Sequence, residues 1–248
     1  MRLRIKKSAD IGIIFSVRAE GSLLIGNLTG RLKAEGIYQT GRLAGKRVIL
    51  AASGIGKVNA AHAVTRLIHE CAPAVIMNIG IGGAYPSSGL KTGDVAIAEK
   101  EIYGDEGVLL KDGFHGLDLI GIPLLHRGRK QYFNKFPLDR ELASKAVKAA
   151  QLITHYSSLI TVKKGTFLTL STCTGTKKRA RELEVRFSSI CENMEGAAIA
   201  QICALYGIPM IEMRGISNIV EDRDLSKWNI KLAAENCQKA ALECIQAI

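Results

Sequence analysis

The stretch Ala74-Val75-Ile76-Met77-Asn78-Ile79-Gly80-Ile81-Gly82-Gly83 decides the fold class. Residues 74–79 form a short, almost continuous apolar run, as a strand buried on both faces of a sheet requires. Three glycines follow at its expected C-terminal end. They leave backbone N–H groups open to a ligand, and the C-terminal edge of an open α/β sheet is where ligands bind. A tight turn without a ligand is the alternative reading.

Outward from this stretch the same alternation repeats. Upstream, residues 11–15 are a second buried run, and a hairpin-like region ends in a strand at 47–53. The turn Gly54-Ile55-Gly56 leads into an Ala-rich helix over 58–70, which Pro73 terminates. Downstream come Gly93-Asp94 and a strand at 95–98, a helix over 139–151, and a strand near 165–170. A helix over 195–206 ends at Gly207, placed as a C′ glycine, with Pro209 beyond it. A strand at 210–213, a loop over 214–228 and a last helix over 231–248 complete the chain. Strands alternating with helices predict an α/β three-layer sandwich with a mixed, partly parallel central sheet, in one domain spanning 1–248.

Composition narrows the function classes. The 248 residues are 47% hydrophobic and 23% charged, ordinary for a globular chain with a large core. The net charge of +11 raises the question of a polyanionic partner, with basic clusters at 2–7, 127–130 and 177–181. These clusters lack interleaved aromatic residues, and no Cys/His finger or basic zipper is present, so no nucleic-acid partner is expected. Six cysteines at 71, 173, 191, 203, 237 and 244 form no CxxC pair, which suits a reducing cytosol. The apolar stretch 11–17 is too short for a membrane span and is followed by Arg18 and Glu20, so no membrane partner is expected and the chain reads as cytoplasmic.

Two familiar motifs fail. For a dinucleotide fingerprint, Gly54-Ile55-Gly56 needs a third glycine where Asn59 stands; for a P-loop, Ala51 replaces the first glycine and Val58 the hydroxyl residue. A strand-to-helix turn is the better reading. His62 and His69 lie on one predicted helix without an acidic or cysteine partner, so no metal site and no cofactor are expected.

Chemistry concentrates in three polar groups beside the predicted strand ends: Glu20, Glu195 in Asn193-Met194-Glu195-Gly196, and Asn218 in Arg214-Gly215-Ile216-Ser217-Asn218. With the segments 53–61, 78–83, 91–94 and 193–198, they make the chain resemble the purine nucleoside phosphorylase and methylthioadenosine/adenosylhomocysteine nucleosidase superfamily. The resemblance runs from Ile11 to the last helix. Within it, 192–198 and 214–228 are similar to futalosine hydrolase.

That resemblance implies cleavage of an N-glycosidic bond through an oxocarbenium-like ribosyl cation. It gives catalytic roles to Glu20, which orients and deprotonates the water, and to Asn218 and Arg214. Glu195 would bind the ribose hydroxyls, with Met194 under the sugar. Ile81, Gly82 and Gly83 would line the water and ribose site, Thr172, Cys173 and Thr174 would border the base, and Ser217 would support the arrangement. Small purine nucleosides are the partners implied, on a homo-oligomer (dimer or larger).

One residue departs from the adenine-cleaving pattern. Those relatives carry Asp at the position of Asn218, where a carboxylate would oppose the 6-oxo group of hypoxanthine. An amide donates to O6 and accepts from N7–H, so Asn218 points to a 6-oxopurine leaving group. An amide cannot supply the N7 proton, which must come through solvent or another group. The resemblance therefore favours futalosine hydrolysis to hypoxanthine and dehypoxanthinylfutalosine, in menaquinone biosynthesis. The alternatives are a methylthioadenosine/adenosylhomocysteine nucleosidase, a 6-oxopurine phosphorylase, or a silent purine-binding protein. Glu20 after the first strand would repel phosphate, which favours water, although Arg18 lies close by. For the aryl carboxylate on the 5′ side of futalosine, Arg127, Arg129 and Lys130 are candidates, against a solvated loop; residues 114–117 are a candidate lid.

Overall fold

The computed structural model describes residues 9–32, 38–155 and 160–248. The basic cluster at 2–7 lies outside the described residues. The first strands are β1 (Ile11–Phe15), β2 (Thr29–Leu32), β3 (Tyr38–Leu43), β4 (Lys46–Ala52), β5 (Val75–Ala84) and β6 (Val95–Tyr103). Two small hairpins follow, β7 (Val108–Leu110) with β8 (Gly113–His115), and β9 (Leu125–Arg127) with β10 (Lys130–Tyr132). The remaining strands are β11 (Lys135–Pro137), β12 (Val162–Thr169), β13 (Ser189–Asn193) and β14 (Met210–Ile219). Helices are α1 (Ser22–Gly26), α2 (Lys57–Cys71), α3 (Arg140–Ala150), α4 (Lys177–Phe187), α5 (Gly196–Tyr206) and α6 (Ile230–Ala247).

Ten strands form one mixed sheet in the order β11-β6-β12-β13-β5-β1-β4-β3-β2, with β14 pairing both β5 and β6. β14 runs parallel to β5 and antiparallel to β6, so β5, β14, β6, β12 and β13 close into a five-strand circuit. Helices cover both faces. On one side α2 and α5 bury Val64, Leu67, Ala198, Ile199 and Cys203 in one core cluster. On the other, α3 and α6 bury Ala146, Ala149, Ala241, Cys244 and Ile245 in a second. The α/β three-layer arrangement with a mixed sheet is the one expected; the closed circuit was not foreseen.

Two boundaries are corrected, and both concern the site. β5 continues through Gly80–Gly83 to Ala84, so these glycines form extended strand and not a turn. Their lack of side chains answers to close neighbours: a Cβ on Gly80 would lie 2.6 Å from an Arg214 nitrogen and 2.7 Å from Glu20 Oε1. One on Gly82 would meet Cys191 Sγ at 2.6 Å. The predicted loop 214–228 likewise begins only after β14, which runs to Ile219. β14 carries a register irregularity between Ile216 and Asn218, and a bulge of this kind re-aims side chains next to active sites. Gly54 and Gly56 adopt φ of 85° and 94°, left-handed values suited to glycine, so this segment is the strand-to-helix turn expected.

Candidate active site

β1 delivers the chain to a short 3-10 turn, Arg18–Glu20, that folds Glu20 back under the sheet edge. Its Oε2 accepts from the Ser16 and Val17 N–H groups at 2.9 and 3.0 Å, and Oε1 accepts from the Ile81 N–H at 2.9 Å. Three backbone donors thus hold one carboxylate against the glycine strand. Burial pushes its pKa above the ordinary carboxylate value, with the Arg214 charge and the backbone donors opposing.

Glu195 caps α5 across the same space. Its backbone N–H and that of Gly196 donate to Asn193 Oδ1 at 2.9 and 2.7 Å, which fixes the entry to the helix. The Glu195 side chain is turned away from its own helix end and accepts from the Gly56 N–H at 2.9 Å. The turn at Gly54–Gly56, which matches neither phosphate-loop motif, therefore orients a site carboxylate.

Arg214 corrects an expectation. The resemblance gives it a catalytic role, but it is 1% exposed and stands behind the cavity wall. Its Nε and Nη2 donate to Glu212 Oε1 at 3.0 and 2.9 Å, and Nη1 lies 3.5 Å from Glu195 Oε2. Behind it, Glu101 accepts from Thr169 Oγ1 and Asn193 Nδ2, each at 2.7 Å, inside the five-strand circuit. Burial and the neighbouring Glu212 charge hold the Glu101 carboxyl well above the ordinary range. Arg214 is thus a brace for Glu195. Replacing it with alanine leaves buried carboxylates uncompensated, and is expected to cost about 3–5 kcal/mol, read as lost stability in urea unfolding. A loss under about 1 kcal/mol would show that Arg214 does not compensate these acids.

A cavity of about 200 Å³ collects the remaining groups. Glu20, Ile81, Gly82, Gly83, Thr172, Cys173, Thr174, Met194, Glu195, Ser217 and Asn218 all line it. Ser217 Oγ lies 2.7 Å from Asn218 Oδ1, and Asn218 Nδ2 donates to the Ile219 carbonyl at 3.1 Å. An amide nitrogen carries two hydrogens, so one remains to offer to a ligand. The wall also holds Ser16, Val17, Ile55, Leu170, Glu192, Asn193 and Trp228, which sequence reasoning did not single out. Ile55, Asn193, Glu192 and Trp228 fell inside the segments that carried the resemblance; Leu170 left no chemical signal.

Three surroundings differ from expectation. Arg18 is exposed and does not line the cavity. Arg127, Arg129 and Lys130 lie on or beside the β9–β10 hairpin. The Arg127 guanidinium sits against Gly207, at the far end of α5 from Glu195, roughly 16 Å away along an 11-residue helix. Phe114 packs against Phe187 and under Arg186, not over the cavity. Among the described residues, no group of three or more His, Cys, Asp or Glu side chains is placed to hold a metal ion, and no helix is long and apolar enough to cross a membrane.

The chain belongs to the phosphorylase superfamily, whose family model matches residues 17–246. A futalosine hydrolase from Thermus thermophilus is 32% identical over 228 residues, covering 92% of each chain. A 5′-methylthioadenosine/S-adenosylhomocysteine nucleosidase from Halalkalibacterium halodurans is 33% identical over 213 residues, 84% of this chain and 85% of that one. The crystal structure of the corresponding nucleosidase from Neisseria meningitidis, in complex with methylthio-immucillin-A, superposes with a TM-score of 0.80 at 27% identity. It covers 96% of this chain and 99% of that one. This chain is a nucleosidase of the methylthioadenosine/adenosylhomocysteine nucleosidase and futalosine hydrolase family, and such enzymes hydrolyse N-glycosidic bonds.

Proposed function

We propose that this nucleosidase acts on futalosine, releasing hypoxanthine and dehypoxanthinylfutalosine for menaquinone synthesis. The observation that carries the reading is Asn218, an amide held in the cavity wall by Ser217 on a bulged strand end. A carboxylate there would set an acceptor against the 6-oxo group. The amide presents an N–H to O6 and a carbonyl lone pair to N7–H.

Glu20 is the general base. Its backbone donors orient the carboxylate towards a water beside Ile81, and burial raises its basicity. Glu195 accepts from the ribose hydroxyls and gains strength as positive charge develops on the sugar. Met194 packs under the ribose, Gly82 and Gly83 leave room for it, and Thr172, Cys173 and Thr174 border the base. The cavity wall has no Lys or Arg among its described residues, and three carboxylates stand on it, a setting that suits water and repels phosphate. The exposed apolar side chains Ile55 and Val58 near the rim suit association of two or more copies.

The base must be ionised, so activity falls as pH drops through the Glu20 pKa. The acid limb of kcat/KM is expected above 4.5, because burial raises that pKa. An acid limb at or below 4.5 would remove Glu20 as the base. The direct test of the function is a phosphate-free assay of futalosine, methylthioadenosine and inosine, with the released base identified by chromatography. Hypoxanthine from futalosine is expected; adenine from methylthioadenosine as the dominant product, or a strict phosphate requirement, would overturn the reading.

A further inference from the structure

Glu192 is buried, lines the cavity, and has no part in the mechanism above. It lies on β13 directly opposite Gly83, while Asn218 on β14 is opposite the same glycine from the other side. A Cβ built on Gly83 would sit 3.4 Å from Asn218 Nδ2 and 3.5 Å from the Glu192 side chain. The amide and the carboxylate therefore flank the same glycine, which Val220 Cγ2 also approaches at 2.8 Å from such a Cβ, at the end of the cavity bordered by Thr172 to Thr174.

Three donors hold the Glu192 carboxylate, one of them the Thr174 hydroxyl. Tyr85 Oη donates to Oε2 at 2.9 Å and the Thr174 N–H donates to Oε1 at 3.0 Å. A carboxylate offers about four acceptor positions, so room for a further donor remains. Glu192 forms no ion pair within 4 Å among the described residues, and the Arg179 charge acts on it from further off. The Thr174 N–H is the complementary fact. A free N–H on the base loop would suit the N1 lone pair of a 6-aminopurine, but this one is already taken by Glu192. What the wall presents at that point is an acceptor.

We propose that Glu192 is a second specificity-determining residue, whose carboxylate accepts the N1–H of a 6-oxopurine while Asn218 reads O6 and N7. The inference rests on the 6-oxopurine reading above. Hypoxanthine carries a hydrogen on N1 where adenine has a lone pair, so the same carboxylate attracts one base and repels the other. Buried polar groups left unpaired by the wrong base are what give hydrogen-bonding sites their large discrimination. Burial raises the Glu192 pKa, so its ionised form benefits from one more donor.

The test measures competitive inhibition by hypoxanthine, 1-methylhypoxanthine and adenine on the wild-type enzyme and on Glu192→Gln. On the wild type, hypoxanthine is expected to bind at least about tenfold tighter than its 1-methyl analogue, the loss of one hydrogen bond to a charged group. In Glu192→Gln, hypoxanthine is expected to weaken by about tenfold or more while adenine holds or improves, since an amide donates to N1. Equal binding of hypoxanthine and its 1-methyl analogue to the wild type overturns the proposal. So does a variant that keeps the full preference for hypoxanthine over adenine. Should the variant fail to fold, the methylated base on the wild type decides alone. A wild type that prefers adenine would overturn the 6-oxopurine reading itself, an outcome distinct from the other two.

Discussion

Glu20→Gln is expected to lower kcat by about 10²–10⁴-fold, the usual contribution of a positioned base, while hypoxanthine still binds within a few-fold of the wild type. The amide has nearly the shape of the carboxylate, and its oxygen still accepts from the Ile81 or the Val17 N–H. Proton abstraction from water is what it loses. Because the proposed role of the carboxylate is towards the water and not the base, the deficit belongs in kcat, with KM little changed. A rate within threefold of the wild type would take Glu20 out of the chemistry. Parallel loss of turnover and of base binding would make it a structural residue.

Asn218→Asp carries the second large effect. The substituted carboxylate keeps the length of the side chain and still accepts from Ser217 Oγ, but it has no hydrogen to give to O6. It sets a negative acceptor against the carbonyl of the leaving base. Loss of kcat/KM on 6-oxopurine nucleosides by about 10²-fold or more is expected, the scale on which polar sites reject a mismatched partner. Release of adenine from 6-aminopurine nucleosides should rise in the same variant, because an acid at this position suits N7 and the 6-amino group together. Unchanged kinetics on inosine-type substrates would separate Asn218 from base recognition.

The parts of the molecule that were legible in the sequence are those in which a single physical demand dominates. Buried strands such as Ile11–Phe15 read as apolar runs because both of their faces are covered. The helix Gly196–Tyr206 was legible from its small apolar residues and its C′ glycine, which adopts φ 71°. β13 and the end of β14 were missed because function interrupts their pattern. Ser189–Asn193 ends in Glu-Asn since Glu192 serves the cavity wall and Asn193 donates to the buried Glu101. The glycines of 80–83 left a tight turn open as an alternative, yet they are strand, and close neighbours leave no room for a side chain at Gly80, beside Arg214 and Glu20, or at Gly82, beside Cys191. The same limit applies to the site. Glu20, Glu195 and Asn218 were legible through their motif company, whereas the bracing role of Arg214 and the presence of Glu192 in the wall depend on strand closure. The charge run at 127–130 proved to be an exposed hairpin at the far end of α5, and that at 177–181 the start of α4, where only the half-buried Arg179 acts on the cavity wall, through Glu192. Cationic composition alone carries no address.

As proposed, this cavity hydrolyses a 6-oxopurine riboside and rejects its 6-amino counterpart. The most direct measurement is the ratio of kcat/KM for futalosine to that for the same molecule with a 6-amino group, in phosphate-free buffer. A ratio of about 10² or more in favour of the 6-oxo compound is predicted, from one amide and one carboxylate both matched to the lactam edge. A ratio near one, or one that favours the 6-amino compound, would contradict it.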